Sequence, residues 1–287
     1  PAEMHAWLWP TATAAPIQLG AGQNFRLENV TLGQCKHTAH QCPCCGSCIA
    51  SWGTSPFRQP VCPVCGLLDR HRASCFDLIQ SSPKVLQTAS AVVAYFGPEQ
   101  RHALALKHGS PPMQLLEFDM FAEGYKYSRS TVRADVQDIP LQNNSLDGII
   151  ILHVLEHVPH LQKALRELYR VLQPGGFIQT ETPCYSSSDI RRRGQPESPE
   201  DCITSRKLKP GHLCMQKDHR WGYQCSFLDK SFARIGFQCQ KYPTMTQQEA
   251  QRYVGPPTFR VLEVIENPWA AVANMEGRIR CQKPSNL

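Results

Sequence analysis

Residues 135–183 read DVQDIPLQNNSLDGIIILHVLEHVPHLQKALRELYRVLQPGGFIQTETP, and this stretch combines two kinds of hydrophobic pattern. The apolar runs over Gly148–Val154 and Phe177–Thr180 have the length of buried strands. Between them, from Leu161 to Leu172, apolar residues recur at helical spacing. Pro174-Gly175-Gly176 is predicted to end this helix and to turn the chain into the next strand. The order strand, helix, strand is typical of a parallel sheet covered by helices.

The same alternation continues on both sides of this stretch. Further short apolar runs predict strands over Ala91–Phe96, Leu115–Phe118, Val132–Val136 and Cys239–Tyr242, and a final edge strand over Arg278–Gln282. Amphipathic patterns predict helices over Asp69–Gln80 and Leu228–Phe237. The predicted fold class is therefore α/β, with a Rossmann-like, doubly wound and mostly parallel sheet.

The cysteines are unevenly distributed along the chain. Of the fourteen, seven lie between Cys35 and Cys65. Four of these form two C-x2-C pairs with sixteen residues between the pairs; they are Cys42, Cys45, Cys62 and Cys65. Two short knuckles of this kind each offer two thiolates and together complete a tetrahedron, so the spacing predicts a structural zinc site. A glycine after each pair, Gly46 or Gly66, permits the tight turn around the sulfur atoms.

Alternatives to this ligand set remain open. Cys44 and Cys48 offer a ligand swap, and Cys35, His37 and His40 lie close enough in sequence for a second, weaker site. Disulfides in a secreted domain are a further alternative, but no signal peptide is visible, which favours an intracellular, reducing setting, cytoplasmic by default. The other cysteines are predicted to be mostly buried free thiols; they are Cys75, Cys184, Cys202, Cys214, Cys225, Cys239 and Cys281.

Length and composition exclude several classes of protein. A chain of 287 residues with 41% hydrophobic residues can bury a core, so it is not mainly disordered. No apolar run approaches the roughly 18 residues that cross a bilayer, and no membrane span is predicted. The net charge of +6 does not identify a partner, because charged residues make up only 19% of the chain. We expect an N-terminal arm over 1–34, a zinc-ribbon module over 35–75, and an α/β domain over 76–287 with a polar insertion at about 184–213.

Residues 135–183 resemble the second half of the catalytic domain of class I S-adenosylmethionine-dependent methyltransferases of the type 11 group. The resemblance rests on Asp135-Val-Gln-Asp138, on His153-Val-Leu-Glu-His157 before the helix, and on Pro174-Gly-Gly. Other phrases resemble a subgroup with an N-terminal zinc ribbon; they are Asp69-Arg-His-Arg72, Tyr95-Phe-Gly-Pro-Glu99, Glu200-Asp-Cys-Ile-Thr204 and Gln216-Lys-Asp-His-Arg220. The resemblance extends from about Cys42 to Phe237. It implies a seven-stranded sheet, with S-adenosylmethionine at the carboxyl ends of the first strands.

The resemblance also implies a set of cofactor-binding residues. They are Phe96, Gly97, Pro98, Glu99, Asp119, Asp135, Val136, Asp138 and His153. Asp119 closes the second strand, where it can accept both ribose hydroxyls or cap a helix. Asp135, our first choice, and Asp138 match positions that flank the adenine, although Asp138 also suits a turn. Relatives in the wider superfamily have a glycine-rich loop after the first strand, whereas this chain has only Gly97 followed by proline.

Three histidines are candidate catalytic residues. Methyl transfer is an in-line displacement, so the enzyme mainly orients the reactants and needs a base only when the nucleophile carries a proton. His153 follows the fourth strand, and His157 lies one helical turn later; both are equally explained as hydrogen-bonded structural histidines. His219 lies in a second polar cluster, with Asp218 and Arg220, which can either contact the substrate or fix the insertion.

Two classes of function are compatible with these residues. The first is an S-adenosylmethionine-dependent methyltransferase with a structural Zn²⁺ ion, acting on a small molecule or on RNA. Arg191–Arg193 suggest RNA, but no aromatic residues interleave them, so a solvated loop is the preferred interpretation. The second is a non-catalytic methyltransferase-like interaction or assembly subunit, for example on a ribonucleoprotein. Protein partners are expected to bind through the zinc ribbon. A zinc hydrolase is not expected, because four thiolates leave no open coordination position.

Overall fold

The computed structural model describes residues 32–35, 39–54, 60–81, 90–109, 114–120, 131–182, 184–185, 221, 223–241, 245–255 and 278–285. The predictions for the arm over 1–34 and for the polar insertion fall almost entirely outside the described residues, as do those for His37, Arg191–Arg193, Asp218, His219 and Arg220. Within the described part, none of the helices combines the length and the apolar character that spanning a bilayer requires.

The elements are numbered here in chain order. The strands are β1 (His40–Gln41), β2 (Cys48–Ile49), β3 (Gly53–Thr54), β4 (Pro60–Val61), β5 (Val92–Phe96), β6 (Gln114–Asp119), β7 (Val132–Arg133), β8 (Leu146–Leu152), β9 (Leu172–Glu181), β10 (Cys184–Tyr185), β11 (Tyr223–Gln224), β12 (Gln238–Lys241) and β13 (Arg278–Gln282). The helices are α1 (Asp69–Ser81), α2 (Gln100–Gly109), α3 (Leu161–Val171), α4 (Cys225–Ile235) and α5 (Gln247–Glu249). A 3-10 turn covers Leu155–His157, and a π-helical turn covers Ala250–Val254.

The main sheet has seven strands in the order β12-β13-β9-β8-β5-β6-β7. The five strands from β9 to β7 run parallel, and β13 pairs antiparallel with both of its neighbours. This arrangement confirms the predicted Rossmann-like fold. The prediction that Arg278–Gln282 is an edge strand is wrong: β12 forms the edge and β13 lies inside the sheet. Both arginines of β13, Arg278 and Arg280, are buried, at 6% and 2% exposure.

Hydrophobic side chains fill both faces of the sheet. On one face, Phe96, Ile149 and Ile151 pack in one cluster with apolar side chains of α3 and α4. On the other, Tyr95 and Ile150 pack in a second cluster with side chains of α1 and α2. The alternation follows from the two-residue period of a strand, and it explains why β5 and β8 are apolar at almost every position.

The helix predicted from Leu161 is confirmed, but it ends earlier than expected. It stops at Val171, and β9 begins at once with Leu172, so Pro174-Gly175-Gly176 lies within the strand rather than before it. The pairing of β8 with β9 shifts register between Leu146 and Gly148. The additional residues of β9 form a bulge-like irregularity at this point.

The two cysteine knuckles adopt the same backbone conformation. In each, the glycine after the second cysteine has φ of 71° and donates its N–H to the carbonyl of the first cysteine at 2.8 Å. The hairpin β1–β2 encloses the first knuckle, whereas the second follows the hairpin β3–β4. Positive φ favours glycine strongly, which is the physical reason for Gly46 and Gly66.

Helix α1 joins the cysteine knuckles to the sheet through buried polar contacts. Ser74 donates to the Gln179 side-chain oxygen at 2.8 Å, and Gln179 in turn donates to Asp77. Asp77 also pairs with Arg280 of β13, and all four side chains are at most 2% exposed. The helix crosses the boundary predicted between residues 75 and 76 and contacts both parts of the chain, so the domain division stays a prediction.

Six cysteines form disulfides in the described part of the chain. The pairs are Cys35–Cys48, Cys44–Cys75 and Cys239–Cys281. The prediction of free thiols at Cys75, Cys239 and Cys281 is therefore wrong, because folding brings each beside a cysteine that is distant in sequence. These disulfides do not support the reducing setting favoured above. The predictions for Cys184, Cys202, Cys214 and Cys225 concern side chains outside the described residues.

The packing of α3 leads to a stability prediction. Leu168 is fully buried in the core, whereas Arg166 on the same helix is exposed. Leu168→Ala should lower the free energy of unfolding by about 2 to 5 kcal/mol, because it removes apolar contacts and leaves a cavity. Arg166→Ala should change it by less than about 0.5 kcal/mol. Urea denaturation of both variants tests this, and equal effects would contradict the assigned face of α3.

Candidate functional site

The loop after β5 is held closely against two neighbouring segments. Gly97 has φ of 63° and donates its N–H to the carbonyl of Phe118 at 2.9 Å. A Cβ atom at this position would lie 2.6 Å from Cγ2 of Val154. Phe96 is buried and stacks on Phe118, with ring centroids 5.3 Å apart. The lone glycine is thus required both by the backbone conformation and by the approach of Val154.

Glu99, two residues after Gly97, is directed toward α1. Its carboxylate receives two hydrogen bonds from the Arg70 guanidinium, Nε at 2.7 Å and Nη2 at 2.6 Å, and lies 2.9 Å from Nε2 of His71. Burial alone raises the pKa of the Glu99 carboxyl, but His71 and Arg70 lower it well below its usual value. Glu99 therefore fixes the position of this loop against the helix.

Two of the predicted adenine-side residues form a turn after β7. The strand predicted over Val132–Val136 ends at Arg133, because the Asp135 carboxylate draws the chain into a turn by accepting the backbone N–H of Gln137 at 2.8 Å. The side-chain amide of Gln137 donates to the same carboxylate at 3.1 Å. Val136 is buried. Asp138 is exposed, and its N–H donates to the carbonyl of Asp135.

Asp119 ends β6, as predicted, and is half-buried at the carboxyl edge. Phe118, the residue before it, accepts the hydrogen bond from Gly97, and Asp119 itself accepts one from Ala134 through its carbonyl at 3.0 Å. These two bonds place Asp119 between the loop after β5 and the turn after β7. The fold thus brings the predicted cofactor residues to one edge of the sheet.

His153 leaves β8 in a left-handed backbone conformation, with φ of 54°. Its N–H donates to the carbonyl of Glu181 at 2.7 Å. The imidazole lies between two carboxylates, with Nδ1 3.3 Å from Glu156 and Nε2 3.3 Å from Glu181. Burial alone lowers the pKa of His153, but the two carboxylates outweigh it and raise the pKa to about 9. The imidazolium form is therefore favoured at neutral pH.

A chain of buried charges continues from His153 to α1. Glu181 pairs with Arg278 through two contacts, of 2.6 and 3.0 Å. Burial raises the pKa of the Glu181 carboxyl, but Arg278 and His153 together lower it to about 2. Arg278 also lies 3.6 Å from Asp69, the first residue of α1. Glu181 and Arg278 were not predicted as site residues, because no local motif marks them and their charged partners are distant in sequence.

His157 is more accessible than His153. Its side chain is 34% exposed, and Nε2 lies 4.0 Å from a Glu156 carboxylate oxygen. The segment after the polar insertion covers this turn: Trp221 donates its backbone N–H to the carbonyl of Glu156 at 3.1 Å and its indole N–H to that of Val158 at 2.6 Å. Tyr223 donates to the carbonyl of Leu155 at 3.0 Å. These aromatic contacts were also not predicted.

The four knuckle cysteines come together at one point. All their sulfur atoms lie within 4.8 Å of one another, and the pairs Cys42–Cys65 and Cys45–Cys62 are 3.7 and 3.8 Å apart. A tetrahedron of sulfur atoms about 2.3 Å from a central zinc ion has edges of about 3.8 Å. Burial raises the pKa of the Cys42 thiol, so a bound cation is needed to hold four thiolates together here. This arrangement fits a zinc ion.

Cys44 and Cys48, the alternative ligands, are held elsewhere by their disulfides with Cys75 and Cys35. His40 points away as well, with Nδ1 2.9 Å from the carbonyl of Gln251. The ligand set that fits the structure is therefore the four-cysteine set.

Comparison with known protein families adds a separate observation. Residues 100–179 match the family described as "Methyltransferase domain". Over this part, the chain is similar to that family. The predicted resemblance is thereby confirmed, and the matched residues include Asp119, Asp135 and His153 at the carboxyl edge.

Individual proteins match this chain either over short stretches or with low sequence identity. The ubiquinone/menaquinone biosynthesis C-methyltransferase UbiE of Brucella canis is 47% identical over 58 residues, 18% of this chain. The mitochondrial 2-methoxy-6-polyprenyl-1,4-benzoquinol methylase of Bos taurus is 34% identical over 71 residues, 23% of this chain. The chain spans 22% of the length of both relatives. A solved structure of a putative sarcosine dimethylglycine methyltransferase from Galdieria sulphuraria is similar with a TM-score of 0.47 and 16% identity, covering 76% of this chain and 85% of that one.

The cysteine cluster can be tested by removing one ligand. We predict that Cys62→Ser lowers the bound zinc from one ion per chain and loosens the knuckles, because three thiolates bind the ion more weakly than a complete tetrahedron. Elemental analysis and hydrogen exchange over residues 39–81 measure the two effects. Cys239→Ser is the control, since this partly buried cysteine lies outside the cluster. Unchanged zinc content in Cys62→Ser would remove Cys62 from the ligand set.

The raised pKa of His153 predicts a pH dependence of stability. Its value in the folded protein, about 9, lies above the reference value of 6.5. The contribution to stability is therefore fully present below pH 6.5 and is lost as the pH rises through 9. We expect a loss of up to about 3 kcal/mol in wild type, and a smaller pH-dependent loss in His153→Gln. Urea denaturation between about pH 6 and 10 measures both; parallel curves would contradict the assigned pairing.

Proposed function

We propose that the protein is an S-adenosylmethionine-dependent methyltransferase. The observation that carries this proposal is the match of residues 100–179 to the methyltransferase domain, within a seven-stranded sheet of the corresponding topology. The carboxyl edge of this sheet collects a glycine with positive φ and several acidic side chains, which suits a ligand with hydroxyl and amino donors. The non-catalytic alternative is not favoured by these observations.

The residues at the edge fit the cofactor in the following way. Gly97 has no side chain of its own, and Val154 packs where its Cβ would lie, which keeps the loop close to the edge of the sheet where the cofactor would bind. The Asp119 carboxylate would accept the ribose hydroxyls. Asp135 would accept a hydrogen bond from the adenine amino group. A carboxylate has about four acceptor positions, and Gln137 occupies only some of them. Val136 and Asp138 would flank the same ring.

When bound, the cofactor supplies an electrophilic methyl group on a sulfonium. The chain's own residues then need to orient the acceptor and, where the acceptor carries a proton, to remove it. His153 is poorly suited to the second task, because its two carboxylate partners favour the protonated form. We therefore assign to His153 the positioning of the turn after β8 and to His157, which is more exposed, the role of proton acceptor. The further candidate, His219, keeps its predicted role.

The cysteine cluster has a structural role in this proposal. Cys42, Cys45, Cys62 and Cys65 would hold Zn²⁺ as a closed tetrahedron, with no position for water or substrate. The ion would stabilise the two knuckles from which α1 begins. The acceptor, a small molecule or RNA, remains a prediction, as do protein partners at the zinc ribbon.

Calorimetry with S-adenosylmethionine and S-adenosylhomocysteine tests the proposal on zinc-loaded protein. We expect wild type to bind both. Asp119→Ala should weaken binding about ten-fold or more, the effect of losing a charge-assisted hydrogen bond. Asp229→Ala is the matched control, because Asp229 lies on α4 near the edge strand β12. No binding by folded, zinc-loaded wild type would overturn the proposal, and equal affinity of Asp119→Ala would move the ribose site elsewhere.

A further inference from the structure

The loop that follows β5 has few polar groups of its own. Phe96 is buried, Gly97 has no side chain, and Pro98 has no N–H to donate. Glu99 is the only side chain among these four that carries a charge. Besides the hydrogen bond from Gly97 to Phe118, the contacts of the Glu99 carboxylate therefore contribute to the position of this loop.

The partner is Arg70, in the first turn of α1. Two parallel hydrogen bonds join the guanidinium to the Glu99 carboxylate, at 2.7 and 2.6 Å, a geometry that fixes orientation as well as distance. The pair is partly shielded from water, since the Arg70 side chain is 13% and the Glu99 side chain 34% exposed. A lysine cannot reproduce such a two-point contact.

His71 supports the same carboxylate. Its Nδ1 accepts the N–H of Leu68 at 3.2 Å, so in the neutral ring the proton lies on Nε2, which faces Glu99 at 2.9 Å. The ring is 4% exposed and stacks on His102, with centroids 4.8 Å apart. His71 therefore holds a second nitrogen close to the Glu99 carboxylate in a fixed position.

The first turn of α1 is itself held by the cysteine module. Leu68, directly before α1, pairs with Val61 in an isolated bridge beside the second knuckle. Arg72 is fully buried, donates to the carbonyls of Leu67 and Val254, and lies over the Trp52 ring at 4.1 Å. These contacts leave Arg70 little freedom to move relative to the knuckles.

We propose that Arg70 is a positioning residue of the cofactor site, which holds the loop Phe96–Glu99 in its binding conformation and thereby makes α1 a part of that site. This inference rests on the proposed function. The two-point contact with Arg70 takes the place of the backbone contacts that a longer glycine-rich loop would make. Zinc at the knuckles would then support cofactor binding through α1, without contact with the cofactor.

A double-mutant cycle on cofactor affinity tests the inference. The variants are Arg70→Met, Glu99→Gln and the two combined, each measured for S-adenosylhomocysteine binding by calorimetry, for zinc content and for far-ultraviolet circular dichroism. Each single substitution should weaken binding about ten-fold with zinc content unchanged. The affinity of the double variant should be about the same as that of either single variant, because both substitutions remove the same contact. Arg70→Lys should recover only part of the affinity.

Lys107→Met serves as the matched control. It removes another ion pair between a helix and a neighbouring segment, that of α2 with Glu117 in β6, and should leave the affinity unchanged even where it lowers stability. Wild-type affinity in a folded, zinc-loaded Arg70→Met or Glu99→Gln variant would overturn the inference. If Arg70→Met does not fold, Glu99→Gln and Arg70→Lys decide. Absence of binding in wild type would instead overturn the proposed function.

Discussion

The charged side chains of α1 lie inside the protein, and each can remain there only because an opposite charge or a carbonyl oxygen meets it. Asp77 pairs with Arg280 of the sheet, Arg72 donates to backbone carbonyls, and Arg70 meets Glu99. Removing one member of such a pair leaves an uncompensated buried charge, which costs more than the pair contributes. The helix therefore has one favourable position relative to both the sheet and the cysteine knuckles.

This constraint reaches the carboxyl edge of the sheet by two routes. Arg70 and His71 fix the loop after β5 through Glu99, and Asp69 fixes the turn after β8 through Arg278, Glu181 and finally His153. The left-handed backbone at His153 costs conformational energy, and the carboxylates on both sides of its ring compensate for it. Two series of charged contacts thus connect the helix that begins at the cysteine knuckles with the candidate site.

Much of this arrangement could be predicted from local patterns. The parallel strands, the amphipathic α3 and the two knuckles are visible because side-chain periodicity and cysteine spacing are properties of neighbouring residues. The interior position of β13 could not be predicted, because Arg278 and Arg280 meet their partners on β9 and α1 only in the folded chain. The three disulfides were missed for the same reason, since cysteines of different elements meet only in the folded chain.

The same distinction between local motifs and long-range contacts applies to the candidate site. The sequence by itself determined the methyltransferase-type fold, the two cysteine knuckles and the edge of the sheet where Asp119 and Asp135 lie, since these depend on short motifs. Only the tertiary structure decided that Glu99 faces α1 and that His153 lies between two carboxylates. The charge state of a buried group depends on which distant charges surround it, and the order of residues along the chain does not specify those neighbours.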